Sequence, residues 1–83
     1  MITVRLFASL RDLVGSESIE LPVEPGQTVE DAFERLGDRY PAVRSRRNRL
    51  LVAVNETYGN WQTEVHDGDE VAFLPPVSGG CSW

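Results

Sequence analysis

Ile2, Val4 and Leu6 alternate with Thr3 and Arg5, the two-residue period of a strand with one buried face. From Ser9 to Gly15 the alternation stops, and Leu10, Leu13 and Val14 predict a short turn of helix. Ile19, Leu21 and Val23 alternate again and predict a second strand returning beside the first as a hairpin, ended by the turn pair Pro25-Gly26. The period then changes. Val29, Ala32, Phe33, Leu36 and Tyr40 lie at helical spacing on one apolar stripe. Thr28 is placed to cap that helix, with Asp31 three residues on in a weak capping box; Gly37 weakens the last turn and Pro41 stops it near Tyr40. Leu50 to Val54 is an apolar run of central-strand length, and Asn55 to Asn60 is rich in turn formers. Trp61, Thr63 and Val65 alternate weakly, which predicts a short edge strand. His66 to Asp69 reads as a turn, and Val71 and Phe73 point inward from a last strand ending at Leu74.

A hairpin, a helix and further strands predict a two-layer α+β domain, because the apolar stripe of the helix and the strands have only each other to bury against. Phe33 and Leu36 are expected at the centre of that contact. The chain has 83 residues, which fits one domain over residues 1–76 followed by a flexible tail over residues 77–83.

Composition narrows the function. Thirteen acids against eight bases give a net charge of -5, which argues against nucleic-acid binding, since phosphate neutralisation needs clustered positive charge. No stretch approaches a membrane span and Met1 to Arg5 lacks the order of a signal peptide, so a cytoplasmic chain is expected. The one cysteine, Cys81, has no internal disulfide partner. All eight bases are arginine. Codon bias explains that, and so would an advantage in lacking amines near an activated C-terminus. Four of them, Arg44, Arg46, Arg47 and Arg49, form the basic cluster of the chain. A solvated turn after the helix is the favoured reading, docking on an acidic surface or phosphate the alternative.

Catalytic groups are scarce. His66 is the only histidine and reads as a solvated loop residue beside a turn aspartate. There is no metal-ligand spacing, no phosphate-binding glycine loop and no nucleophile with an obvious base, so a self-contained enzyme is not expected. The unusual segment runs from Pro75 to Trp83. Pro75 and Pro76, directly after a strand, end ladder pairing and favour an extended arm. Gly79 and Gly80 then offer a backbone without side chains, which a narrow enzyme tunnel can close around.

The run from Asp67 through Gly68, Asp69, Glu70, Val71, Ala72, Phe73, Leu74, Pro75, Pro76, Val77 and Ser78 to Gly79-Gly80 resembles the end of the small subunit of molybdopterin synthase, in the MoaD/ThiS family of ubiquitin-like sulfur carriers. Met1 to Ala8, Leu10 to Gly15 and Leu51 to Asn55 are similar to the same family. The resemblance implies a β-grasp fold, a mixed sheet of four to five strands around one helix. It implies that Gly80 bears the chemistry: an E1-like adenylating enzyme uses ATP to adenylate its carboxylate, and sulfur from a persulfide or sulfide displaces AMP to leave a thiocarboxylate. That group donates sulfur to an acceptor held by a larger catalytic subunit. On this reading Gly79 and Ser78 give access, Phe7, Leu74, Pro75, Pro76 and Val77 are candidates for docking partners, and the chain itself binds no cofactor or metal. Phe7 reads equally as core.

The family's active form ends at the second glycine, whereas here Cys81-Ser82-Trp83 follow Gly80. Carriers serving cysteine or siderophore synthesis resemble this chain in having such an extension, which a JAMM-type zinc peptidase trims. Cleavage between Gly80 and Cys81 is therefore expected. The acceptor stays open between the molybdenum-cofactor precursor and a substrate of cysteine, thiamine or natural-product synthesis. A ubiquitin-like protein modifier and a plain interaction domain remain as further classes.

Overall fold

The structure, a computed structural model, describes residues 1–75. Five strands form one mixed sheet in the order β2-β1-β5-β3-β4. They are β1 (Ile2–Leu6), β2 (Ser18–Leu21), β3 (Leu51–Val54), β4 (Thr57–Gly59) and β5 (Glu70–Leu74). β1 runs parallel to β5, and the other neighbours pair antiparallel. Two helices, α1 (Ala8–Val14) and α2 (Val29–Arg39), and a 3₁₀ segment over Pro41–Arg49 complete the domain. An N-terminal hairpin, a helix across the sheet, and a last strand inserted beside the first in parallel make this a ubiquitin-like β-grasp.

The alternation along β1 is realised. Ile2, Val4 and Leu6 are buried against Leu21, Val71 and Phe73, and Arg5 is exposed on the other face. The short turn of helix expected from Ser9 is a seven-residue helix over Ala8–Val14. Gly15 closes it at φ 84°, a left-handed conformation that glycine takes without strain, with its N–H donating to the Arg11 carbonyl at 2.7 Å. β2 ends at Leu21, before Pro22, so Val23 packs partly buried outside the ladder.

α2 begins as predicted. The Asp31 N–H donates to Thr28 Oγ1 at 3.4 Å, and the Thr28 N–H donates to Asp31 Oδ2 at 3.0 Å, a complete capping box. Its buried face is Val29, Ala32, Phe33, Leu36 and Gly37. Phe33 and Leu36 have 1% and 0% of their surface exposed, at the centre of the helix–sheet contact. Phe33 sits edge-on to both Trp61 and Phe73, with ring centroids 5.2 and 5.3 Å away.

Three expectations are corrected. Residues Asn55 to Asn60 are not all turn: Asn55 and Glu56 form a two-residue hairpin loop with φ 51° and 68°, and Thr57–Gly59 return as β4 along β3. Positive φ at both loop positions is the turn that matches strand twist. The left-handed region suits Asn55 but costs a glutamate roughly 1–2 kcal/mol.

Second, Trp61 to Val65 is not an edge strand. The Trp61 and Thr63 carbonyls accept from the Glu30 and Val29 N–H groups, each at 2.9 Å, and the Val65 N–H donates to the Gln27 carbonyl. The segment therefore satisfies the open N-terminus of α2, and a single bridge, Thr28–Glu64, is its share of sheet-like pairing. Its alternating burial comes from packing against the helix start, with Trp61 stacked 5.8 Å from Phe73.

Third, the arginine cluster is a solvated turn only in part: Arg44 and Arg49 are exposed, but Arg44 and Arg47 are paired. It lies in the 3₁₀ segment folded back on α2. Arg44 donates to Glu34 at 2.8 Å and to Asp38 at 2.6 Å. Arg47 donates to Glu30 at 2.5 Å with its guanidinium 4.4 Å from the centre of the Trp61 ring. Gly37, which the sequence reading treated as a weak point of the helix, makes room for this: a Cβ there would stand 2.7 Å from Arg44 Nε.

Candidate functional site

Because the helices fill one face of the sheet, the residues of opposite parity line the other. In β-strands these alternate with the core residues, so the burial of Val4, Val52, Val71 and Phe73 places Arg5, Leu51, Ala53, Ala72 and Leu74 on the outer face. Register sets the rows. Arg5 stands beside Ala72, Ala72 opposite Ala53, and Ala53 opposite Tyr58, one row across four strands. Leu74 stands opposite Leu51 in the next row.

Two alanines side by side leave a depression between larger neighbours. It is a groove of about 260 Å³ with Ala53 and Ala72 at its floor and Phe7, Tyr58 and Leu74 at its sides. Arg5, Glu56 and Glu70 complete the lining. Arg5 is 3.4 Å from Glu70 and its guanidinium is 5.7 Å from the centre of the Phe7 ring. Tyr58 is 64% exposed and neighbouring Leu51 38%, large apolar side chains facing water. An open apolar surface of this kind, rimmed by charge, is a candidate docking surface.

The groove lies at the root of the tail. Leu74, the last residue of β5, is part of its wall, and half-buried Pro75 follows. Of the residues the sequence pointed to, Phe7 and Leu74 are brought together here, which places Phe7 on the groove rather than in the core. Pro76, Val77, Ser78, Gly79, Gly80 and Cys81 lie outside the described residues.

The loops behind the groove are tied together. Asn55 donates from its amide to Asp69 Oδ1 at 3.0 Å, accepts from the Glu70 N–H at 2.9 Å, and Asp69 Oδ2 accepts from the His66 N–H at 2.8 Å. The Asn55 amide and the His66 N–H hold the Asp69 carboxyl below the usual carboxylate range. The sign follows: this tie contributes its full stability above the ordinary aspartate pKa and loses it as pH falls through the lowered value. Two segments that looked similar to one family in the sequence, Leu51 to Asn55 and Asp67 to Gly80, thus meet at Asn55 and Asp69. His66 is exposed, 2.9 Å from Glu64, and no part of the groove. Among the described residues no group of acids, cysteines or histidines is arranged to hold a metal ion, and no helix is long and apolar enough to cross a membrane.

Sequence reasoning missed Tyr58, Arg5 and the two alanines. The signal for them was present: small residues inside two apolar strand runs, and a two-residue Asn55-Glu56 turn that pairs Tyr58 with Ala53.

The described residues thus form a small β-grasp domain with an open apolar groove beside the end of its last strand. Residues 4–80 match the ThiS family, and the chain belongs to that family. It is 41% identical to the molybdopterin synthase sulfur carrier subunit of Escherichia coli, over 96% of this chain and 100% of that one. The crystal structure of SAMP1 from Haloferax volcanii superposes with a TM-score of 0.84 at 32% identity, covering 95% of this chain and 98% of that one. CysO, in the BexX/CysO complex of Amycolatopsis orientalis, gives 0.79 at 28% identity, covering 96% and 100%. The chain is a sulfur carrier protein with a ubiquitin-like fold.

Proposed function

We propose that sulfur is carried at Gly80, as a thiocarboxylate formed after the residues beyond Gly80 are removed. One observation carries this: the family match runs to Gly80 and stops there, while the chain continues into Cys81. A carboxylate is a poor electrophile. An E1-like enzyme that transfers AMP from ATP onto the Gly80 carboxylate, releasing pyrophosphate, converts it into an acyl-adenylate with a good leaving group. Sulfide displaces AMP to give the thiocarboxylate directly. A persulfide displaces it to give an acyl disulfide, from which a second thiol, itself ending in a disulfide, frees the thiocarboxylate. The chain is not itself the enzyme; ATP binds to the activating partner. Gly79 and Ser78 pass through that partner's tunnel, Pro75 to Val77 span the distance, and the groove docks the domain. A peptidase of the JAMM type is the trimming agent that fits cleavage between Gly80 and Cys81.

The acceptor that the similarity to the E. coli subunit favours is the molybdopterin precursor, held by a larger catalytic subunit. The CysO-like and archaeal-modifier-like neighbours support a second reading, in which the same thiocarboxylate serves another biosynthetic acceptor or Gly80 is joined to target lysines.

The docking role is tested on the chain ending at Gly80, with Phe7→Ala and Leu74→Ala together. Removing two apolar anchors is expected to weaken binding to the adenylating enzyme at least about tenfold, with the far-ultraviolet dichroism spectrum unchanged. Unchanged affinity would place docking elsewhere.

A further inference from the structure

Glu56 is out of place by local rules. It occupies the second position of the β3–β4 loop at φ 68°, where glycine is the residue without strain. Its side chain lines the groove, and among the described residues it makes no hydrogen bond or ion pair. The other two charges of the groove, Arg5 and Glu70, are paired with each other. A strained residue whose side chain has no internal task is explained by an external one.

Resting on the docking role of the groove, we propose that Glu56 selects the partner: the adenylating enzyme seats an apolar side chain over Ala53 and Ala72, between Phe7, Tyr58 and Leu74, and sets an arginine against the Glu56 carboxylate. The argument is one of charge and shape. With Arg5 engaged by Glu70, Glu56 is the one charge of the groove without a partner among the described residues, on a chain whose net charge is -5. A carboxylate at the rim of an apolar contact is recognised best by a guanidinium, which bonds both oxygens while its plane packs on neighbouring apolar surface. The two-residue loop, closed by the Val54–Thr57 pair, holds the Glu56 backbone one pair beyond Ala53 and Tyr58 of the groove, within reach of its rim. A partner with the same apolar knob but an acidic neighbour is repelled, which is how a rim charge confers specificity more than affinity.

The test uses chains ending at Gly80 and the purified adenylating enzyme from the same genome. Glu56→Gln keeps size and removes charge; binding is expected to weaken about fivefold, and the association rate to depend less steeply on salt than that of the wild type. Glu56→Arg should weaken it further. Glu56→Gly should raise the melting temperature while weakening binding, a split that a purely structural residue cannot give. The proposal is overturned if Glu56→Gln binds as wild type, whether or not Glu56→Arg loses binding through bulk. If in that case the Phe7→Ala, Leu74→Ala chain still loses affinity, the docking role of the groove stands and only the Glu56 assignment fails. If none of the variants loses affinity, both fall.

Discussion

A chain ending at Gly80 is expected to support ATP–pyrophosphate exchange by its adenylating enzyme, and a chain that continues through Cys81-Ser82-Trp83 is expected to give only background. The difference is chemical before it is structural. Adenylation needs a carboxylate oxygen to attack the α-phosphate of ATP. In the longer chain the Gly80 carbonyl is part of the peptide bond to Cys81, where resonance with nitrogen leaves a neutral and poorly nucleophilic oxygen. Any carboxylate beyond Trp83 arrives displaced by at least three residues, roughly 10 Å of extended chain, behind an indole instead of a bare backbone. The groove, by contrast, belongs to residues 5–74 and is common to both chains, so both should bind the enzyme and only one should turn over. Equal exchange from the two would show that the residues after Gly80 are no block.

Phe33→Ala is expected to destabilise the domain by about 3–5 kcal/mol, a drop in melting temperature on the order of 20 °C, measured by thermal or urea unfolding. Phe33 is 1% exposed and touches both sides of the aromatic cluster, with Trp61 and Phe73 edge-on at 5.2 and 5.3 Å. Truncation removes the ring from α2, the strand β5 and the segment that caps the helix at once, so no single neighbour can move in to fill the space. A domain of this size has only about 5–10 kcal/mol of stability in total. Because Phe73 precedes Leu74 on β5, loosening the core beneath it also loosens the groove wall at the root of the tail. A loss below about 1 kcal/mol would mean that the helix–sheet contact is held elsewhere.

Where one physical rule governs a segment, its structure was legible in the sequence. The stripe on α2, the Thr28–Asp31 box and the alternation of β1 and β5 each follow from burial on one face. Trp61 to Val65 misled because alternation reports burial, not pairing: its carbonyls serve the N-terminus of α2, a partner more than thirty residues earlier in the chain. β4 was hidden by length, three exposed residues with no apolar period of their own. The pairing of Arg44 and Arg47 was hidden because their counter-charges, Glu30, Glu34 and Asp38, lie on another element that only the 3₁₀ segment brings near. For the site, the sequence pointed to Phe7 and Leu74 from family likeness. The groove floor needed register, since Ala53 and Ala72 become neighbours only when β3 and β5 are paired.

Mass spectrometry of the chain isolated from its native host, without oxidising or hydrolytic treatment that would strip sulfur, tests sulfur carriage at Gly80 most directly. The expected result is a species ending at Gly80 in which one carboxylate oxygen is replaced by sulfur, lost on hydrolysis and absent when the adenylating enzyme is deleted. Chains that keep Cys81-Ser82-Trp83 and carry no sulfur at Gly80 under any growth condition, or Gly80 found only in branched links to lysines of other proteins, would contradict it.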